Sequence, residues 1–210
     1  MEYLYSLNLF ETISFSNEDS KRTKLYQVEA ERVKVQKKFT NEAEFLKNLE
    51  MVSNIEPFNK FNTPRIAQLS QRTNQFNLRT VRYSEADIER ISKSNDYFTF
   101  SFSLEDKFGD NGLICAIILK KENEKTLFIY TWFMSCRVLK RGMENFVLNT
   151  IVNFAKRNNF ELIKGEYIPT VKNGLVKDHY LNLGFKKSGS FFDLEINNYQ
   201  NKTSHIKIKK

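Results

Sequence analysis

Residues 126–157 read TLFIYTWFMSCRVLKRGMENFVLNTIVNFAKR, and the fold turns on how this stretch is read. Thr126 to Ser135 is a nearly unbroken apolar and aromatic run of strand length. Gly142 to Arg157 then places Phe146, Val147, Ile151 and Phe154 at helical spacing, which predicts a helix with one buried side. Between them, Met134-Ser-Cys-Arg-Val-Leu-Lys-Arg-Gly-Met143 is a turn of small and basic residues. A strand that passes through such a turn into a helix aims backbone N–H groups and the positive end of the helix dipole outward, an arrangement suited to phosphate. Arg137, Lys140 and Arg141 add positive charge there. The turn reads equally as a phosphate cradle and as a basic surface turn.

Working outward, Tyr97 to Leu104 alternates strictly, with Phe98, Phe100, Phe102 and Leu104 on one face of a strand. Gly109-Asp110 and Asn111-Gly112 predict a hairpin within Asp106 to Gly112, which returns into a strand over Leu113 to Lys120. Thr63-Pro64 predicts an N-cap with proline at the first position of a helix running to about Arg72. Phe76 to Tyr83 reads as extended, and Ser84 with Asp87 caps a short helix. Downstream, Glu161 to Tyr167 is a strand, Asn173 to Leu183 a helix, Phe185 to Ile196 a strand, and His205 to Lys209 a lysine-guarded edge strand. Antiparallel strands followed by one strand–helix–strand crossover make a mixed α/β domain with one parallel pair. The first 60 residues predict a charged helix from about Asn17 to Lys38 and a shorter one bearing Phe45, Leu46 and Leu49, too little apolar surface to stand alone. The expected organisation is a helical extension over 1–61 and an α/β domain over 62–210.

The 210 residues carry a net charge of +8, with −1 in residues 1–60 and +9 in the remainder. A basic domain expects an anionic partner: a phosphorylated cofactor, an acidic carrier protein or nucleic acid. The terminal lysines lack interleaved aromatic platforms, which argues against nucleic acid. Two cysteines and two histidines at these spacings do not compose a zinc site, and no metal is expected. No apolar run approaches the roughly 18 residues of a membrane span. Glu2 and Asn8 interrupt any signal-like start, so no membrane and a reduced, cytoplasmic setting are expected.

Arg137-Val-Leu-Lys-Arg-Gly142 resembles the Arg/Gln-x-x-Gly-x-Gly loop of the GNAT acyltransferases, which cradles the pyrophosphate of coenzyme A. Lys140 stands where the first glycine belongs. The resemblance implies a GNAT-like fold with Arg137, Val138, Leu139, Lys140, Arg141, Gly142 and Met143 at the cofactor phosphates. Asn173, Val176, Tyr180 and Gly184-Phe185 resemble a second GNAT segment, Asn-x-x-Ala-x-x-x-Tyr-x-x-x-Gly-Phe. That match implies Tyr180 as a general acid near the cofactor sulfur; read from the residue alone, Tyr180 equally packs its ring with the hydroxyl at the surface.

A broader resemblance spans most of the chain. Arg65 to Asn77, Arg82 to Ile88, Asp106 to Asp110, Met134 to Val138 and Pro169 to Asn173 look like the FkbH-like family. Leu9 to Thr12, Glu29 to Arg32 and Phe45 to Met51 fit its middle section. Members join a haloacid-dehalogenase-type half to a GNAT-like half, and are associated with loading a glyceryl group onto an acyl carrier protein on the way to polyketide extender units. No Asp-x-Asp, the metal-holding element of the dehalogenase half, occurs here, so the chain resembles the C-terminal portion alone. The resemblance implies acyl transfer from a coenzyme A or phosphopantetheine thioester, with an acyl carrier protein and a separate haloacid-dehalogenase-type domain or subunit as partners. A non-catalytic module that docks the carrier is the other reading.

Three further residues have two readings each. Cys136, beside Arg137 at a strand end, is either a transient acyl acceptor or a small residue buried beneath the loop. Glu166 is either a general base or a solvated, ion-paired carboxylate. Asn173 is either a cofactor ligand or a helix cap. Cys115 lies in an apolar strand and is read as core, and the amide-rich stretch from Arg72 to Asn77 as a cleft lining or a buried network.

Overall fold

The computed structural model describes residues 28–209. Its contacts divide the chain into two compact units, residues 1–45 and 46–210. Within the first, residues 28–36 are helical, as the charged pattern predicts for that part, and the rings of Phe39 and Phe45 meet at 5.8 Å. The earlier part of that expected helix lies outside the described residues. Helix α1 (Glu42–Asn48) follows.

The second unit is built on a nine-stranded sheet. Strands β1 (Val52–Ser53) and β2 (Ile55–Glu56) are followed by helices α2 (Thr63–Arg72) and α3 (Glu85–Ser92). A meander of β3 (Tyr97–Asp106), β4 (Gly109–Lys121) and β5 (Thr126–Met134) comes next. Helix α4 (Met143–Arg157) crosses to β6 (Leu162–Glu166), and after the short α5 (His179–Asn182) the chain ends in β7 (Lys186–Ser188), β8 (Phe191–Glu195) and β9 (Lys207–Ile208). The spatial order is β7-β8-β6-β5-β4-β3-β1-β9, with β2 also on β3. The β5–β6 pair is parallel, as the single crossover predicts, and so is β1–β9 at the edge.

The period-two stripe faces α4: Phe98 and Phe100 meet Phe154 at 4.9 and 5.2 Å, and Phe102 meets Phe146 at 6.2 Å. The other sheet face is covered by α2 and α3, whose Ile66, Leu69, Ile88 and Ile91 pack with Ala116, Ile118 and Phe133. The Ser84–Asp87 capping box is complete.

Local details differ from the sequence reading. The β3–β4 hairpin turns at Lys107-Phe108, with Asp106 opposite Gly109, because Asp106 Oδ1 accepts the Phe108 N–H at 2.9 Å and closes the turn early. Asn62, not Thr63, is the N-cap of α2, since the Thr63 hydroxyl donates back to Asn59 O at 2.8 Å. The expected helix over Asn173 to Leu183 is a 3₁₀ turn at Gly174–Val176 and then α5. The expected strand over Phe185 to Ile196 is a hairpin, reversed where Gly189 takes a φ of 60°.

Candidate functional site

Parallel strands β5 and β6 pair only over Thr126–Phe128 and Leu162–Lys164. A register shift against β4 then leaves Tyr130 as an extra residue in β5, and such a bulge twists a strand away from its neighbour. Beyond it the two strands fork. The fork holds residues 76–79, part of the segment read as extended. Leu78 N–H donates to Trp132 O at 3.2 Å, Met134 N–H to Phe76 O at 3.0 Å, and Ile168 N–H to Leu78 O at 2.9 Å. Arg79 Nη1 donates to Tyr130 O at 2.8 Å. Thr80 then leaves with a φ of 56°, a left-handed conformation that is uncommon for a β-branched residue.

Asn173 locks this insertion. Fully buried, its Nδ2 donates to Asn77 O (3.0 Å) and Ile168 O (2.9 Å), and its Oδ1 accepts from Thr170 N (2.7 Å) and the Tyr167 hydroxyl (3.1 Å). It is neither a cofactor ligand nor a side-chain cap, because its carboxamide is committed to the backbone around the fork. Asn77 contributes to the same buried network, accepting the Thr80 N–H at 2.8 Å. The amide-rich stretch thus serves both expected roles, since Asn74 and Gln75 line a cleft.

That cleft, about 690 Å³, opens where β5 ends. Its walls are the α2 residues Arg65 and Arg72, residues 73–76, Ser135 to Arg137, and Val171 with Lys172. Among the described residues the lining carries four cations and no carboxylate. Cys136 is a free, exposed thiol in the lining, so its reading as a residue buried beneath the loop does not hold. It begins a one-turn 3₁₀ segment, Cys136–Val138, and Arg137 folds back so that its Nε lies 3.3 Å from Ser135 Oγ.

The turn into α4 separates its basic residues. Arg137 and Lys140 are exposed. Arg141 is not available to a phosphate: its guanidinium is buried 3.3 Å from Asp106 Oδ2 and donates to Arg137 O at 2.9 Å, pinning the turn to the β3–β4 hairpin. Val138 and Met143 are fully buried anchors, and Leu139 is half-buried. Lys140 takes a φ of 63° and Gly142 one of 73°, so the loop keeps the backbone that favours glycine at both positions although one is lysine. Glu144 occupies the first turn of α4, and desolvation raises its carboxyl above the ordinary range.

Tyr180 lies in the core, away from the cleft. Its ring stacks on Phe192 at 5.1 Å and fills the space left by Gly165, where a Cβ would come within 2.4 Å of it. Burial pushes its phenol far above the usual tyrosine range, so it is held as a protonated hydroxyl beside the backbone at Glu166. Glu166 is bound by Arg79, Oε2 to Nε 2.8 Å, in a second pocket of about 370 Å³ with Phe128, Tyr130 and Phe191. Cys136, Tyr180 and Glu166 therefore do not share one cavity. Arg65, Arg72 and Lys172 join Cys136 instead. The sequence marked Arg72 as part of the amide-rich cleft lining, but Arg65 and Lys172 carried no assigned role, although Lys172 immediately precedes Asn173. Cys115 is core, as expected.

Among the described residues no group of three histidine, cysteine or acidic side chains could hold a metal, and no helix is long and apolar enough to cross a membrane. No protein-family model and no curated protein sequence matches the chain. Solved structures do. The ribosomal-protein-S18-alanine N-acetyltransferase of Escherichia coli superposes with a TM-score of 0.53 at 13% identity, covering 69% of this chain and 94% of that one. The spermidine N-acetyltransferase of Vibrio cholerae, solved with CoA and spermine, gives 0.53 at 13%, covering 69% and 96%. The GNAT domain of S. lividans PAT gives 0.53 at 11%, covering 67% and 89%. Residues that share so little sequence yet superpose over most of each neighbour establish that this chain has the fold of the GNAT acetyltransferases.

Proposed function

We propose that the chain is the acyl-transfer portion of an FkbH-like protein, carrying an acyl group as a thioester on Cys136 and passing it to the phosphopantetheine thiol of an acyl carrier protein. One observation carries the reading: an exposed thiol lines a 690 Å³ cleft with four cations and no acid. Cys136 sulfur attacks the carbonyl carbon of an activated acyl donor, a thioester or acyl phosphate, after losing its proton to solvent. The C–S bond forms as the donor's thiolate or phosphate departs with the bonding pair. The carrier's thiolate then attacks the new thioester, and Cys136 leaves as thiolate and takes a proton back. Arg65, Arg72, Arg137 and Lys172 serve the anionic parts of donor and acceptor.

Coenzyme A, present with the Vibrio cholerae neighbour, fits this chain in part. In this reading the exposed Arg137 and Lys140 meet its phosphates, while Arg141 is withdrawn and the β5 edge at the fork is already bonded. The test is intact-protein mass spectrometry after incubation with a glyceryl thioester or glyceryl phosphate anhydride, followed by phosphopantetheinylated carrier. The parent should gain a thioester that the carrier discharges, and Cys136→Ser should gain none. Transfer to the carrier at the parental rate by Cys136→Ser would overturn the reading. The withdrawal of Tyr180 and Glu166 from the cleft favours one alternative, a non-catalytic carrier-docking module, in which Cys136→Ser binds the carrier as the parent does and neither protein is acylated.

A further inference from the structure

We infer that residues 76–79 are a built-in strand that permanently occupies the β5–β6 fork, and that a phosphopantetheine arm therefore reaches Cys136 through the basic cleft between α2 and residues 171–172, not along β5. The identity of the arm rests on the function proposed above; the closure of the fork does not.

An extended ligand rich in amides gains affinity from unpaired strand edges by adding itself as a strand. At the fork the edge of β5 has already been served. Tyr130 O takes Arg79 Nη1, Trp132 O takes the Leu78 N–H, and Met134 N–H donates to Phe76 O. On the other side the Ile168 N–H is spent on Leu78 O. Displacing the segment would break these bonds and also release two side-chain anchors. Asn173 holds Asn77 O and Ile168 O from within the core. Phe76 is wedged between Trp132, tilted at 6.1 Å, and His179, edge-on at 5.0 Å between ring centroids. Asn77 and Leu78 are fully buried, so the segment is an interior part of the domain and not a surface flap.

The cleft has the opposite character. Arg72, Arg137, Lys172 and Cys136 are exposed, and Val171 offers an uncovered apolar side chain beside them. A volume of about 690 Å³ lies in the range that holds small ligands. An arm with a phosphate at its base is complementary to such a mouth, since the phosphate meets the cations while the thiol end advances to Cys136.

Amide hydrogen exchange at Leu78 tests the inference, because its N–H has Trp132 O as partner only while the segment stays in place. Coenzyme A and phosphopantetheinylated carrier are added in separate arms, which distinguishes the two sources of the same arm. Exchange at Leu78 should stay within about twofold of the free protein in both arms, and acceleration of about tenfold or more in either overturns the inference. Arg72→Glu with Lys172→Glu should slow loading of the carrier by about tenfold or more, whereas Lys186→Glu should not. Unchanged loading, or unchanged calorimetric affinity for phosphopantetheine itself, in the double variant overturns the route. Failure of the transfer reading has a separate signature: the parent acquires no thioester on Cys136 while Leu78 remains protected.

Discussion

His179 makes the stability of this fold depend on mild acid. It is 7% exposed, with Phe76, Trp132 and Tyr180 ring centroids within 5.0, 4.6 and 5.7 Å, and its Nε2 has no hydrogen-bond partner among the described residues. Desolvation in this aromatic box lowers its pKa from 6.5 to about 3. The sign follows from proton linkage. Between those two values the unfolded chain binds a proton on this imidazole and the folded chain does not, so stability is complete above pH 6.5 and is lost as pH falls toward 3. Each pH unit inside the window carries about 1.4 kcal/mol, so moving from pH 7.5 to 5 costs about 2 kcal/mol once the rounded onset is included. For a chain of this length that lowers the thermal midpoint by about 4–8 °C. Glu144, whose raised carboxyl has the opposite linkage near pH 5, works against the trend, so the comparison is with His179→Phe under identical buffers. Calorimetric melts at pH 7.5, 6.5 and 5.0 should show a loss in the parent that the variant lacks. Equal slopes for the two proteins would refute the reasoning, as would an imidazole resonance of His179 titrating above pH 5.

Two substitutions probe the packing behind the site. Gly165→Ala drives a methyl into the Tyr180 ring and should cost about 1–3 kcal/mol by urea denaturation. An unchanged midpoint would mean that Tyr180 moves freely and is not the core residue its burial indicates. Lys140→Gly removes a side chain from a left-handed residue and should raise stability by about 0.5–1 kcal/mol, where the same change at an ordinary exposed position lowers it. A lower midpoint for this variant would show that the lysine is not strained.

What was legible in the chain was local. Phe98, Phe100 and Phe102 announce their strand because a period of two needs only neighbouring residues, and Ser84 with Asp87 announces a helix start because the cap closes within four residues. The crossover from β5 through α4 to β6 was legible for the same reason, and with it the mixed α/β architecture. The reversal at Ser188-Gly189-Ser190 carries turn residues and was legible from them, whereas the break at Lys177-Asp178 was hidden because Val176, Tyr180 and Leu183 keep helical spacing across it.

The site itself was only half legible. Cys136, Arg137 and Lys140 could be marked from their position after a strand, since any such turn faces outward. Arg141 looks the same in sequence, yet Asp106, 35 residues earlier, draws it inward. Tyr180 carries the position of a catalytic acid by resemblance, but Gly165 leaves a hollow that its ring fills, and burial removes it from the cleft. The sealing of the fork depends on hydrogen bonds from Leu78 to Trp132 and from Asn173 to Asn77, 96 residues away. The sequence alone determined most of the elements, their order and the charge of the domain, because propensity, capping and net charge are properties of neighbours and totals. Only the tertiary structure decided which basic residues face the cleft, which tyrosine is buried and what fills the fork, because each depends on partners that folding brings together from distant parts of the chain.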